Sequence, residues 1–355
     1  MMPIMNSSIF SSDAAMASSG AAMRQSPQHR IKWTRFCFLA LATGLGAILL
    51  LLGLAFAIDP YDTGRPGLFN KPGIRPQGPR TAAASRGRDA GFDAAIFGNS
   101  HVQLLSPERL NGATNARFVS LIAPATHPKE QLVLLDWFMR HRASSPRAIV
   151  LGIDGNWCTG NPALPVEKPF PFWLYERRFV SYAAGLLRFD MLEEAPRRLT
   201  YLLARKPERA RPDGYWDYEP NYIGLGYDVR PDRRALLEKR QPTIPVNETG
   251  RFPAAEQLAD ALSRIPAATQ VVLLHPPVYV SSLPEAHSLE ASTDAGCKAA
   301  FLALAAKRPN TFVLDWRGDR PQARDAALWF DHTHYRRAIA ESIEIDIGKL
   351  LGRDR

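Results

Sequence analysis

Downstream of residue 90, short continuous apolar runs alternate with segments in which apolar residues recur at helical spacing. Runs such as "AIVLGI" and "VVLLH" lack the alternation of a half-exposed strand, so they predict strands buried on both faces. Strands that alternate with helices are typical of a doubly wound parallel sheet. The predicted strands are 94–98, 117–121, 148–153, 270–275 and 311–315, and the predicted helices are 107–110, 128–141, 254–264 and 291–307.

The stretch 157–251 interrupts this alternation. It is rich in aromatic residues and prolines, as in "KPFPFWLYERRF" and "DGYWDYEPNYIGLGY". Because it is far too long for a simple connection, we predict an inserted cap over one end of the sheet. Its aromatic side chains either bind sugar rings or form a small core of their own, and the sequence leaves both interpretations open.

Near the N-terminus, residues 36–58 read "FCFLALATGLGAILLLLGLAFAI" and contain no charged residue. As a helix this segment is roughly 30–35 Å long, enough to cross a bilayer. Arg24, Arg30, Lys32 and Arg35 precede it, with Asp13 as the acidic residue among them. The positive-inside rule therefore predicts a cytoplasmic N-terminus and an extracytoplasmic, periplasmic C-terminal domain.

A cleavable signal peptide is the alternative, because "AFA" at 55–57 matches a small-x-small cleavage site. The apolar run is longer than the roughly 7–15 residues of a signal core, which favours an uncleaved single-pass anchor. We accordingly predict a disordered cytoplasmic tail (1–35), a transmembrane helix (36–58), a stalk rich in Pro, Gly and Arg (59–90) and one exported domain (91–355).

Composition narrows the function classes. With 355 residues and 46% hydrophobic residues, most of the chain is expected to be globular. The net charge of +9 comes from scattered arginines without a basic helix or RNA-binding strand, so we predict no nucleic-acid partner. Of the three cysteines, Cys158 and Cys297 lie in the exported part, where they are either a disulfide or two buried thiols.

Chemistry-bearing residues follow the predicted strands at their carboxyl ends, where open parallel sheets bind ligands. Ser100 ends the first strand's "GNS" turn, and Asp331 and His334 stand before the last helix. A serine hydroxyl needs a base to remove its proton, a role suited to His334, with Asp331 orienting the imidazole. A helix beginning at Ser100 would add dipole support for an oxyanion, although Ser100 and Asp331 would also serve as plain helix caps.

These pieces, in this order, resemble the SGNH/GDSL family of hydrolases and acyltransferases. Its first block is a strand ending in Gly-x-Ser, matched by "GNS" at 98–100, and its last is Asp-x-x-His, matched by "DHTH" at 331–334. The resemblance implies a three-layer, flavodoxin-like doubly wound α/β sheet. It also implies that Ser100, His334 and Asp331 are catalytic. We predict no cofactor.

The middle blocks depart from the family pattern. Where the family supplies a glycine N–H to the oxyanion, this chain has Ala125 or, two residues earlier, Ala123. Where the family has Gly-x-Asn-Asp, "GIDGNW" puts Asp154 at the asparagine position and Asn156 two residues later. Either Asn156 supplies the donor, or the oxyanion hole lacks one, which typically costs about 10²–10³ in rate. His101 lines the pocket or lies on the surface.

The roles of two further histidines stay open. His332 with Asp331 and His334 is thin evidence for zinc, so no metal is predicted. His275, at the end of the fourth strand, lines the pocket or is structural.

The leading hypothesis is a membrane-anchored esterase or O-acyltransferase that acts on an envelope polysaccharide or other ester, with a possible separate acyl donor. The alternative is a catalytically degenerate, glycan-binding or scaffold protein of the cell envelope.

Overall fold

The computed structural model describes residues 27–65, 73, 78–203 and 211–352, with side chains from residue 32 onward. The chain forms two compact units, Met1–Leu51 and Leu52–Arg355. The described part of the first unit is helical. The helices are α1 (Pro27–Ile58), α2 (Pro79–Arg88), α3 (Pro107–Ala113), α4 (Pro128–Arg140), α5 (Phe172–Tyr175), α6 (Phe179–Gly185), α7 (Met191–Leu202), α8 (Glu219–Gly224), α9 (Arg233–Glu238), α10 (Pro253–Ser263), α11 (Leu289–Ala306), α12 (Pro321–Arg324) and α13 (Arg337–Leu351).

Helix α1 contains the predicted membrane segment. Its stretch Lys32–Ile58 is long and apolar enough to cross a membrane. The helix begins before residue 36, so the last part of the predicted tail is helical, while residues 1–26 of that tail lie outside the described residues.

The segment 59–90, predicted as a stalk, contains a helix and several buried side chains in its described part. Its helix α2 buries a face of small residues, and the Trp137 indole N–H donates to the carbonyl of Ala84 at 2.9 Å. Asp62 is also buried and accepts a hydrogen bond from the Ser85 hydroxyl at 2.7 Å. Because alanines supply the buried face, the segment lacks the large apolar residues that make a helix visible in a hydropathy pattern. Residues 66–72 and 74–77 lie outside the described part.

The sheet has five parallel strands in the order β2-β1-β3-β4-β5. Every strand predicted from the sequence is confirmed, with ends that differ by at most one residue. The strands are β1 (Ala94–Phe97), β2 (Phe118–Ser120), β3 (Ala148–Gly152), β4 (Gln270–His275) and β5 (Thr311–Asp315).

Both faces of the sheet are covered by apolar side chains. Ala95 and Phe97 of β1 belong to one buried cluster, to which α2, α4, α10 and α11 contribute. Ala94 and Ile96 belong to a second cluster, with residues from α3 and α13. This double burial explains why the strand sequences are continuously apolar rather than alternating.

The inserted stretch 157–251 consists of the short helices α5 to α9 and irregular connections, with residues 204–210 outside the described part. Its aromatic residues do not form a separate core. Tyr175 and Tyr182 join the first cluster of the sheet, whereas Tyr218 joins the second. The insertion is therefore packed into both clusters of the main domain.

A disulfide joins Cys158, which follows β3, to Cys297 in α11, with a Cα–Cα distance of 5.3 Å. The alternative of two free thiols does not hold for this structure. The bridge ties the loop after β3 to the helix that packs beside β5.

Candidate active site

The strand order places a crevice at the carboxyl ends of β1 and β3. The chain leaves β1 toward β2 on one side and leaves β3 toward β4 on the other, so the two connections diverge. Ligands of open parallel sheets bind at such a point of divergence. Ser100 follows β1 and Asp154 follows β3, so both candidate residues belong to the loops that border this crevice.

The turn that carries Ser100 depends on Gly98. The φ angle of Gly98 is +153°, and a Cβ atom there would lie 2.4 Å from Val102 Cγ2. Ser100 then begins a single turn of 3₁₀ helix, capped by Asn99, whose side-chain oxygen accepts the N–H of His101 at 3.1 Å. The longer helix expected at Ser100 starts only at Pro107, so the predicted dipole support for an oxyanion is absent.

Asp331 and His334 form the best-defined part of the site. The Nδ1 atom of His334 lies 2.9 and 2.8 Å from the two oxygens of Asp331. The same carboxylate accepts the backbone N–H groups of Thr333 and His334, both at 2.9 Å. Among the described residues, His334 Nε2 has no hydrogen-bond partner, so the carboxylate fixes one ring nitrogen and leaves the other available as a base.

The charge state of Asp331 follows from these contacts. Burial raises the pKa of its carboxyl group, but the hydrogen bond from His334 and those from the two backbone N–H groups outweigh burial. The net effect holds the pKa well below its usual range. Asp331 is therefore ionised at neutral pH and is suited to stabilise a protonated His334.

Ser100 lies on the same edge of the sheet as this pair. The ring of its neighbour His101 is 5.9 Å from the ring of His334, measured between centroids. Within the described part of the chain, however, the Ser100 hydroxyl makes no hydrogen bond, neither with His334 nor with any other group. The structure thus joins Asp331 to His334 and brings the Ser100 turn beside them without closing the serine–histidine contact.

Asp154 anchors loops rather than offering a donor. Its buried carboxylate accepts hydrogen bonds from the side-chain amides of Asn99 and Asn156, the latter at 3.0 Å, and from the Asn156 N–H at 3.2 Å. Asn99 also donates to the carbonyl of Thr126 at 3.3 Å. The Asn156 amide that was predicted as an oxyanion donor is therefore turned toward Asp154, and Asp154 ties the loop after β3 to the Ser100 turn.

Two backbone N–H groups near the Ser100 turn are free to donate to a ligand. The N–H of Ala123 donates to the carbonyl of Gly98 at 3.1 Å, so it is occupied. Those of Ala125 and Ser100 donate to no described residue. Ala125 has a φ of +53°, in the left-handed region that favours glycine. Of the two alanines named from the sequence, Ala125 is the one with a free donor.

The remaining histidines differ in burial. Burial lowers the pKa of His101, against the opposing attraction of Asp154, whose carboxylate lies 3.5 Å from its Nδ1. His275 is fully buried beside the carbonyl of Ile153, and burial, with the nearby Arg317 charge, lowers its pKa to about 2. Of the two interpretations of His275, the structural one fits this position.

Two tyrosines that no sequence motif predicts pack around the His334 imidazole. The rings of Tyr218 and Tyr222 each lie 5.5 Å from the His334 ring, and the Tyr222 hydroxyl lies 3.5 Å from Asp331. Tyr218 is held by a hydrogen bond to the carbonyl of Tyr335 at 2.8 Å. Their signal in the sequence is the aromatic-rich "YEPNYIGLGY", which does not reveal a contact with a loop more than a hundred residues away.

Nothing in the described residues groups three or more His, Cys, Asp or Glu side chains in a way that would hold a metal ion. His332 is turned away from His334, with its Nε2 atom 2.8 Å from the carbonyl oxygen of Lys239.

No protein-family model matches the chain, and no curated protein sequence matches it. The geometry of the site therefore carries the functional inference.

Proposed function

We propose that this chain is a membrane-anchored serine esterase or O-acyltransferase with an SGNH-like fold. The observation that carries the proposal is the Asp331–His334 pair, bonded through Nδ1 with Nε2 unengaged, on the same sheet edge as the Ser100 turn. An ionised carboxylate behind an imidazole, with a serine in front, is the recurring arrangement for acyl transfer.

In the proposed reaction, a rotation of Ser100 brings its hydroxyl within about 2.6–3.2 Å of His334 Nε2. His334 takes the hydroxyl proton while Ser100 Oγ attacks the ester carbonyl, and the N–H groups of Ala125 and Ser100 donate to the oxyanion. His334 then returns the proton to the departing alcohol, which leaves an acyl-Ser100. Water, or a hydroxyl group of an envelope glycan, releases the acyl group by the same steps in reverse.

The same proposal includes the location and the finer fold. We infer a single-pass anchor with the catalytic domain outside the cytoplasm, in the periplasm, and a cap formed by 157–251 on a three-layer sandwich. The Cys158–Cys297 disulfide supports export, because disulfides persist mainly in oxidising compartments. The basic residues before α1 favour the same orientation.

A catalytically degenerate, glycan-binding protein is the second candidate. Two observations favour it: the Ser100 hydroxyl is not bonded to His334 within the described residues, and Asp154 holds the Asn156 amide away from an oxyanion role. Under this hypothesis the crevice still binds a glycan but forms no ester on Ser100.

A fluorophosphonate probe separates the two candidates, since it reacts covalently with activated serines. The full-length chain in detergent is labelled alongside Ser100→Ala, His334→Ala and the control Ser145→Ala, which removes an exposed serine distant in sequence from the site. The enzyme hypothesis predicts labelling of the wild type and of Ser145→Ala, none of Ser100→Ala and much slower labelling of His334→Ala. An unlabelled wild type would reject it in favour of the binding protein.

A further inference from the structure

A cavity of about 460 Å³ opens directly beside the catalytic pair. Its walls come from α9 with the flanking residues of the insertion, and from the loop that contains Asp331. The volume falls within the range of roughly 300–1,000 Å³ that is usual for small-molecule sites. We call it the basic cavity, after four of its lining residues: Arg230, Arg233, Lys239 and Arg240.

The charges that line the basic cavity are unbalanced. Its one acidic lining residue among those described is Asp331, and that carboxylate is already engaged with His334. Arg230 is paired with Asp232 at 3.2 Å, and Arg240 with Glu285 at 2.9 Å, although neither acid lines the cavity. Arg240 also lies 3.8 Å from Glu290, so the lining itself carries four cations and one carboxylate, with the partner acids of Arg230 and Arg240 behind the wall.

Three of the four cations have donors to spare. Lys239 forms no ion pair with a described residue, and its carbonyl, which accepts from His332, fixes the backbone there. Arg240 Nη1 is buried without a hydrogen-bond partner. Arg233 reaches Asp228 only at 3.9 Å and the carbonyl of Trp329 at 3.3 Å. Because an unpaired buried donor is costly, Arg240 Nη1 indicates a site that can receive an acceptor, and the exposed Lys239 and half-buried Arg233 add positive charge beside it.

Apart from Gln241 and His332, the rest of the wall is apolar or aromatic. Tyr227, Leu237 and Phe330 line the same cavity, and the ring of Tyr222, which contacts His334, packs on both Tyr227 and Phe330. Aromatic surface with a few convergent cations suits a sugar ring that bears an anionic group.

We propose that the basic cavity binds an anionic group, a carboxylate or phosphate, on the sugar that presents its hydroxyl or ester to Ser100. This inference rests on the proposed function and specifies its substrate class, an acidic rather than a neutral glycan. The cavity shares Asp331 with the catalytic pair, so the charged group would lie within one or two sugar units of the reacting oxygen.

Binding to the full-length chain in a neutral detergent tests the proposal without requiring turnover. Trigalacturonate supplies carboxylates, glucose 6-phosphate supplies a phosphate, and maltotriose is the neutral reference, each titrated by calorimetry and by saturation-transfer NMR. We expect one or both acidic probes to bind and maltotriose to bind at least tenfold more weakly. Raising KCl from about 50 to about 300 mM should weaken acidic binding several-fold. The stronger of the two acidic probes identifies the anion.

Lys239→Met and Arg233→Met should each weaken acidic binding about three- to tenfold. The matched control is Arg234→Met, which changes the next residue of the same helix, 82% exposed and outside the cavity, and should bind as the wild type does. Equal affinity for acidic and neutral probes, or unchanged binding in both cavity variants, would overturn the proposal.

The outcome is separable from that of the proposed function. Ser100→Ala should bind acidic probes with wild-type affinity, because the serine does not line the cavity. If the wild type reacts with the fluorophosphonate but shows no preference for acidic probes, the substrate inference fails and the enzyme stands. If it prefers acidic probes but does not react, the enzyme hypothesis is rejected and the proposed anion site is supported.

Discussion

Two histidine–aspartate pairs lie beside each other at the crevice, and their carboxylates have different hydrogen-bonding roles. In the first, His334 Nδ1 lies 2.8 Å from an Asp331 oxygen, in hydrogen-bonding geometry. In the second, His101 Nδ1 lies 3.5 Å from an Asp154 oxygen that already accepts the side-chain amides of Asn99 and Asn156. The rings of the two histidines are 5.9 Å apart.

The difference shows that the residue types alone do not assign the roles. Besides His334, Asp331 accepts two backbone N–H groups and the Thr333 hydroxyl of its own loop and, at 3.5 Å, the Tyr222 hydroxyl; its shortest contact, at 2.8 Å, orients one imidazole. Asp154 accepts the side-chain amides of Asn99 and Asn156, which belong to two different loops, as well as the Asn156 N–H, so its carboxylate holds those loops together. We accordingly expect loss of the first carboxylate to affect turnover and loss of the second to affect stability.

The largest expected effect comes from Asp331→Asn. Loss of the carboxylate removes the group that fixes the tautomer of His334 and stabilises its protonated form, so kcat for ester hydrolysis should fall about 10⁴-fold. The measurement is steady-state hydrolysis of p-nitrophenyl acetate by the full-length chain, with the thermal unfolding midpoint as control. A fall of less than tenfold with the fold intact would remove Asp331 from the mechanism.

The Ser100 side of the comparison is tested by Gly98→Ala. The new Cβ meets Val102 at 2.4 Å and imposes a strained backbone, so we expect a loss of roughly 2–4 kcal/mol in the free energy of unfolding. Gly112→Ala in α3 is the matched control, because its Cβ meets nothing within 4 Å and a helical alanine should add about 0.5–1 kcal/mol. Chemical denaturation measures both, and equal values for the two variants would show that the turn is not constrained as described.

Asp154→Asn is the counterpart of Asp331→Asn. It replaces a buried acceptor with an amide that faces the donors of Asn99 and Asn156, which should cost about 1–3 kcal/mol of stability. Turnover per folded molecule should fall far less than in Asp331→Asn. Denaturation and the ester assay on one preparation measure both quantities. Full stability with abolished turnover would show that the two carboxylates do not differ in role as described.

The smallest effect is a pH dependence of stability. The pKa of His275 is about 2 in the fold and 6.5 as its ordinary value, so the unfolded chain takes up the proton first as the pH falls. Stability should therefore decrease below about pH 6.5, by about 2 kcal/mol between pH 7 and pH 5 from this residue. Burial lowers the pKa of His101 as well, which adds in the same direction.

Thermal unfolding at both pH values checks this dependence, with His275→Gln expected to flatten it. The carboxyl of Asp331, whose pKa is lowered in the fold, contributes stability above its ordinary value of 3.8 and loses it only at lower pH, so it does not change within this window. A stability that is independent of pH between 7 and 5 in the wild type would contradict a neutral, buried His275.

The sheet could be predicted from the sequence because β1 to β4 are almost entirely buried and β5 is half-buried, which leaves continuous apolar runs. The Asp331–His334 contact could be predicted because the two residues are three positions apart within one loop. Short-range spacing and hydrophobic runs are the features that a single sequence displays directly.

The remaining parts of the site depend on long-range placement. Nothing in the sequence pairs Asn99 with Asp154, since their contact follows from the adjacency of β1 and β3 and from loop conformation. Helix α2 could not be predicted because its buried face consists of small residues, mainly alanine. The position of Tyr222 could not be predicted because α8 is too short to show a periodic pattern. The four cations of the basic cavity come from one short stretch, 230–240, and the sequence does not show that this stretch lies beside Asp331.

Direct trapping of an acyl-enzyme tests the central claim most simply. The full-length chain is mixed with p-nitrophenyl acetate, quenched in acid within the first turnover and digested for peptide mapping by mass spectrometry. An acetyl group on the peptide that contains Ser100, assigned to that hydroxyl and greatly reduced in His334→Ala, is the predicted result. An acetyl group on another residue, or none while p-nitrophenol is released at the same rate by Ser100→Ala, would contradict the account.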